Sequence, residues 1–358
     1  MYLLPYRHYF GKYFIRSNIE NYIDVMNDVA LRIVNEDVTS DAGRMIDAQN
    51  YFHILTLRVF GRFALDHDFS QDKEVEDWIV KYTSLASRDV AQVIGFGLPH
   101  WNIFPQVRMV RYYREKFSKV LEKILYARKA MMDRGEEVPE DALTEMLKQD
   151  LEEEDMMDHL ITMVAAGHDT TAFFSCYMSY LLALNPEHQE RLREEVFSVM
   201  GDREVVTKED LGNFPYMRRV MQETLRLYPT IPQVTRQATK DVKLKDSGII
   251  IPEGTKLMIP MFIMHRDPDV WKDPKKFDPD RFEGIEHTSA KMGFLPFSYG
   301  GRTCIGNTLA IIEATVMFVQ LLRRFRIEKV EGFKPKIASG ISLTSDNGIQ
   351  VVFHPLES

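Results

Sequence analysis

Phe297-Ser298-Tyr299-Gly300-Gly301-Arg302-Thr303-Cys304-Ile305-Gly306 is a glycine-rich loop that ends in one cysteine and runs straight into an apolar stretch from Asn307 to about Phe325. The glycines allow a tight turn and a close approach of backbone to a flat ligand. The apolar stretch reads as a helix. Its N-terminus offers free N–H groups and a positive dipole end, which favour a thiolate over a thiol. Arg302 adds a fixed cation two residues before the sulfur. With no second Cys or His nearby, Cys304 does not suit zinc, which takes four ligands. It suits a haem iron, which needs one axial ligand from the protein on that side.

The fixed positions Phe297-x-x-Gly300-x-Arg302-x-Cys304-x-Gly306 match the haem-binding signature of the cytochrome P450 monooxygenases, and the chain resembles that family. The plain alternative is a buried free cysteine in an ordinary β-to-helix turn, since cysteine is often buried. Further motifs in the family's order speak against it. The resemblance implies a mainly α fold with small β-sheets. It implies a haem b (iron protoporphyrin IX) with Cys304 as axial thiolate, Phe297 shielding the sulfur, and the N–H groups of Ile305 and Gly306 softening its charge. Arg302 and Gly306 belong to the same expected cofactor-binding set. Arg236 stands where the family has an arginine paired with a haem propionate, and Ile231 to Thr235 where the family contacts substrate.

Asp150 to Leu184 is the longest periodic segment, with Leu160, Val164, Gly167, Thr171, Phe174, Met178 and Leu181 at helical spacing. Ala166-Gly167-His168-Asp169-Thr170-Thr171 lies inside it. A mid-helix glycine costs about 1 kcal/mol against alanine, and Asp and Thr side chains compete for backbone carbonyls and open a local kink. One reading is a helix that needs a small residue for close packing. The resemblance to the family's oxygen-activation motif implies the other: Gly167 makes room for oxygen at the haem face, Thr170 holds the oxygen or a water, and Asp169 feeds protons. His168 falls on a different face from Gly167 and reads as structural. Cys176 reads as core.

Pro215 to Leu227 reads as a helix carrying Glu223-Thr224-Leu225-Arg226, an acid and a base on one face. This matches the family's Glu-x-x-Arg motif, which the resemblance joins to Arg281 in a buried network that fixes the cysteine loop. Asp280 stands where the family more often has Glu.

The 358 residues are 45% hydrophobic and 27% charged, the composition of a globular chain with ample core material. The net charge of −8 argues against nucleic acid as the main partner. Two cysteines, Cys176 and Cys304, exclude disulfide scaffolding and point to a reducing compartment or cytosolic face. No apolar run reaches about 18 residues, so no transmembrane helix is expected. Without repeats or linkers, residues 1–358 read as one domain.

Helices are expected over Ile15–Asn35, Met45–Ala64 (ending near Gly61), Lys73–Ser87 and Gln106–Asp133, with Asn185 and Pro186 opening another. Gly95 to Pro105 reads as an apolar loop, either packed on the core or rimming a substrate channel. Short strands are expected at Lys243–Leu244, Gly248–Ile251 and Lys256–Met261, and again over Ile327–Phe353 with a tip at Thr344–Gly348.

The match begins near Tyr13, and relatives carry roughly a hundred more residues upstream, so a length-based expectation is N-terminal truncation. The upstream part would hold the membrane anchor, the first sheet strands and the helix whose Trp and Arg bind a propionate. Arg7 or His8 would be the remainder of that contact. Membrane association, at the cytoplasmic face of the endoplasmic reticulum, would then run through that part. The leading functional expectation is a monooxygenase that takes an apolar substrate, O2 and electrons from NADPH through a separate reductase, docked on a basic surface including Arg323 and Arg324. A haem-binding remnant, isoform or fragment without turnover is the second. A peroxide-isomerising or dehydrating member is the third, and the acid-alcohol pair counts against it.

Overall fold

The computed structural model describes residues 7, 10–87, 105–149, 151–285 and 293–356. Most of the chain is helix. A short α1 (Arg16–Ile19) leads into α2 (Ile23–Arg32), which widens into a π-turn over Ile33–Val38. Then come α3 (Gln49–Leu65), α4 (Lys73–Leu85), α5 (Pro105–Asp133), α6 (Ala142–Leu147) and α7 (Glu153–Leu184). α8 (Pro186–Met200), α9 (Pro215–Leu227), the single turn α10 (Met261–Met264) and α11 (Asn307–Leu322) complete the helical set among the described residues.

The starts are legible chemically. Asp72 caps α4 by accepting from the N–H groups of Glu74 and Val75, and Asp141 caps α6 by accepting from Thr144 N–H. Pro186 and Pro215 open α8 and α9, where a missing N–H costs nothing. Asn185 stands at the α8 N-cap position, but its side chain makes no cap there. Its Nδ2 donates instead to Leu181 O at 2.8 Å, closing the previous helix.

Three readings from periodicity are corrected. Met45–Asp47 is not helix but strand β1, paired antiparallel with β9 (Gln350–Pro355) in the register Ile46↔Val351. The hydrophobic Ile46 faces the core while Met45 faces out, a period of two that three residues cannot announce. Gly61 does not end α3. An added Cβ there would lie 2.5 Å from the Phe69 ring, so the glycine serves packing, and the helix ends at Asp66 with φ 48°. The segment read as one helix from Asp150 is preceded by the separate turn α6 and starts at Glu153. The expected loop from Gly95 lies outside the described residues up to Phe104, and α5 begins at Pro105.

β6 (Phe325–Lys329), β9 and β1 make one antiparallel sheet in the order β1-β9-β6. Two-stranded ladders join β2 (Val234–Gln237) to β5 (Lys256–Ile259), β3 (Val242–Lys243) to β4 (Ile250–Ile251), and β7 (Ile337–Ser339) to β8 (Leu343–Ser345). The β3–β4 and β2–β5 ladders leave the side chains of Ile250 and Met258 about three-fifths exposed.

The core is centred on α7, whose residues from Thr171 to Ala183 are buried. α3 crosses it at close range. Phe60 lies over Gly167, and Thr56 Oγ1 donates to His168 O at 3.0 Å. Tyr177 stacks on Tyr228 with centroids 4.3 Å apart and donates to Thr344 O, tying α7 to β8. No helix among the described residues is long and apolar enough to cross a membrane.

Candidate functional site

The cysteine loop folds back on itself before α11. Ser298 and Gly300 both take left-handed backbone, φ 63° and 72°, and Gly300–Arg302 makes a single 3-10 turn. Thr303 closes this turn with its N–H and hydroxyl on Gly300 O, at 3.0 and 2.8 Å. Cys304 N–H donates to Phe297 O at 2.8 Å, which brings Phe297 beside the cysteine. The Cys304 side chain is exposed, and the backbone N–H of Gly306 favours its thiolate form.

The electrostatics differ from the sequence expectation. Desolvation by the surrounding protein pushes the thiol up, opposed by the Gly306 N–H and by the charge of Arg7. Arg302 is exposed and is not the cation that acts on the sulfur; Arg7 is. His8 lies outside the described residues. Added Cβ atoms at Gly300 and Gly301 would meet nothing within 4 Å, so open space lies over the loop. Arg236, on β2, reaches across and donates to Ser298 Oγ at 3.0 Å. An exposed sulfur with one N–H favouring its thiolate form, open glycines and a nearby arginine fit a haem iron bound through a single thiolate. Among the described residues, Cys304 joins no cluster of potential ligands for a bare metal ion.

Behind the loop is the expected network, and it is buried. Arg226 donates through Nε and Nη2 to both Glu223 oxygens at 2.7 and 2.9 Å, and Arg281 Nε donates to Glu223 Oε1 at 3.0 Å. Arg226 also donates to the carbonyls of His265, Pro274 and Lys276. Every donor of the buried fork is used, which is what a buried charge requires. Asp280 stands outside it, accepting from Arg191 and Arg219 near the surface.

On α7 the acid and the alcohol lie on different sides. Thr162 and Ala166 are exposed and Thr170 half-buried, so these residues mark the helix's uncovered face, while Gly167 is turned toward Phe60 of α3. Thr170 Oγ1 donates to Ala166 O at 2.8 Å, the expected back-bond, yet the α-helix runs through unbroken. Asp169 is buried on the α3 side, and its Oδ2 accepts from Ser342 Oγ at 2.9 Å. Burial pushes its carboxyl up to about 7. Gly167 has a packing reason of its own, since a Cβ would lie 2.1 Å from the Phe60 ring. His168 is structural, as expected: Nδ1–H donates to Val164 O and Nε2 accepts from Thr83 Oγ1. Cys176 is buried core.

The family model described as cytochrome P450 matches residues 6–353. The chain belongs to the cytochrome P450 family. Its similar relatives include cytochrome P450 4X1 of Rattus norvegicus, 40% identical over 54% of this chain and 38% of that protein. The taurochenodeoxycholic 6 alpha-hydroxylase of Sus scrofa is 38% identical over 56% of this chain and 40% of its own length. Cytochrome P450 4A2 of Rattus norvegicus is 30% identical over 93% of this chain and 69% of its own. The match thus spans about two fifths of the length of the first two relatives.

Within this cytochrome P450 chain, three contacts were not legible from motifs. His265 accepts from Leu295 N–H through Nε2 at 2.9 Å while its carbonyl takes Arg226, so it couples the Glu223 network to the cysteine loop. Ser342 holds Asp169, and His53 faces it. None belongs to a local pattern, because each partner is supplied by a distant segment. Arg323 and Arg324 stand at the far end of α11 from Cys304, about 24 Å along a 16-residue helix. Arg323 donates to Gly201 O, and Arg324 to Gln320 and Glu204.

Proposed function

We propose that residues 1–358 act as one haem domain of a monooxygenase that hydroxylates an apolar organic substrate, a fatty acid, a sterol or a foreign compound. The observation that carries the reading is the exposed Cys304 sulfur, its thiolate form favoured by the Gly306 N–H, in a loop anchored to the Glu223–Arg226–His265 network. The bound haem would supply dioxygen activation, with one oxygen atom going to substrate and the other to water.

The chain's own residues would do the rest. Cys304 holds the iron from one side, and Gly306 N–H restrains the sulfur's charge. Phe297, whose carbonyl takes the Cys304 N–H, would shield the sulfur once haem covers the loop. Arg236, beside Ser298, and Arg302 are the cations available to the haem's carboxylates. Thr170 faces the uncovered side of α7, where it would hold a water or the oxygen, and Gly167 lets α3 approach the same turn. Asp169 would supply protons from the other side, by rotation of its side chain or through a water. Ile231 to Thr235 and the tip at Thr344–Gly348 would contact substrate. Electrons would come from NADPH through a reductase. Arg16 and Arg218 line a cleft of about 500 Å³ with Phe297, Ser298 and Asn307, and these cations support an acidic partner there. The pig relative's name, a 6 alpha-hydroxylase, supports hydroxylation as the reaction class. A cytochrome P450 anchored upstream would sit at the cytoplasmic face of the endoplasmic reticulum.

The test is turnover of fatty acids and sterols by the full chain with haem, NADPH and reductase under heavy-isotope dioxygen. One heavy oxygen atom per product, lost when NADPH is omitted, is expected. Bound haem with no oxygenated product would instead favour the remnant reading.

A further inference from the structure

Two buried polar atoms face each other across the α3–α7 contact with no hydrogen-bond partner: His53 Nδ1 and Asp169 Oδ1, 3.9 Å apart. Their residues are 3% and 5% exposed. We propose that His53 and Asp169 share one proton, which makes His53 the proton-holding partner of Asp169.

The surroundings leave few other states. His53 and His168 are the charged or titratable neighbours that reach Asp169; no Lys or Arg among the described residues forms an ion pair with it. Cys176 on the same helix is a neutral thiol, its pKa pushed well up by burial, and brings no cation. A bare carboxylate there would be uncompensated, and so would a bare imidazolium. A neutral pair avoids both, with the carboxyl O–H directed at the Nδ1 lone pair or the Nδ1–H at the carboxylate. The closure needed is about 1 Å, to a hydrogen bond of about 2.8 Å. Directions of titration agree: burial holds His53 down near 3 and Asp169 up near 7.

The other groups in the cluster are already satisfied. Asp169 Oδ2 takes Ser342 Oγ, and both nitrogens of His168 are engaged. His53 is held edge-on against Phe173, with centroids 4.9 Å apart, which fixes the direction of Nδ1. A metal held by His53, His168 and Asp169 is the competing use of the same atoms. It fits less well, because His168 has no free nitrogen and 3.9 Å exceeds the edge of about 3.4 Å in a tetrahedral zinc site.

The sharing of the proton stands on this geometry. Its use, recharging Asp169 after a proton leaves toward Thr170, rests on the monooxygenase reading. The experiment is nitrogen NMR of the full chain labelled at histidine, reduced under carbon monoxide where haem is bound so that it is diamagnetic. His53 is assigned by loss of its signals in His53→Asn. The expected result is an inflection of His53 Nδ1 near neutral pH that vanishes in Asp169→Asn. A His53 signal that is flat with pH, or that inflects equally in Asp169→Asn, would overturn the pair. So would a stoichiometric metal ion in the wild-type chain that is lost in both variants. The readout needs no turnover, so failure of the pair and failure of the monooxygenase reading are distinguishable.

Discussion

At the scale of single residues, the interior is marked by histidines that burial keeps neutral. His53 is held down near 3, and His168 and His265 near 4, in each case mainly because the imidazolium would lose its hydration. A lowered folded value means the unfolded chain binds more protons between about pH 4 and 6.5. The stability they contribute is therefore present above 6.5 and lost as pH falls. Asp169, raised to about 7, acts in the opposite sense, its contribution being lost as pH rises through the same window. His67 is lowered in the same way, and burial raises Glu195 and Glu313 as it does Asp169, so four imidazoles stand against three carboxyls. Acid destabilisation remains, at about 1.4 kcal/mol per pH unit for the one uncompensated proton. Denaturant midpoints should fall between pH 6.5 and 4.5, and His168→Gln should flatten the slope. A midpoint that rises or stays level over that range would contradict the assignment.

At the scale of elements, the contact between α3 and α7 decides how the oxygen-activation motif is presented. His53, Thr56 and Phe60 form one stripe of α3, and it meets Asp169, His168 and Gly167. Gly→Ala in a helix usually stabilises by about 1 kcal/mol. Here the new Cβ would sit 2.1 Å from the Phe60 ring. Gly167→Ala is therefore expected to destabilise by about 1–3 kcal/mol through overpacking, and Phe60→Leu in the same chain to recover part of that loss. Additive effects in the double variant would remove the contact as the reason for the glycine.

The same contact explains what could be read in advance. The helical period of α7, the Glu223–Arg226–Arg281 set and the cysteine loop were legible because each is written in local spacing. β1, the end of α3 at Asp66 and the partners His53, Ser342 and His265 were not. Met45–Asp47 becomes strand because Gln350–Val352 lies beside it, and the glycine at 61 answers to the Phe69 ring, which leaves no room for a Cβ, and not to a helix end.

At the scale of the molecule, one loop is supported from behind by a buried charge network and opens in front on free space. The Cys304 side chain is exposed while Arg226, Glu223 and His265 are fully buried. That asymmetry, rigid support under an open sulfur, is what a large axial-ligand cofactor needs. The residues that carry it were legible in the sequence as a cytochrome P450 signature. The charge of Arg7 on the sulfur was not, because Arg7 arrives from the other end of the chain. The central claim is that Cys304 is the iron's axial ligand. The measurement that tests it most directly is the absorbance spectrum of the haem-loaded full chain, reduced with dithionite under carbon monoxide, beside Cys304→Ala. The account predicts a strongly red-shifted thiolate Soret band in the wild type and its loss, with the haem, in the variant. A band at the position of a neutral axial ligand in the wild type, or an unchanged spectrum in Cys304→Ala, would contradict it.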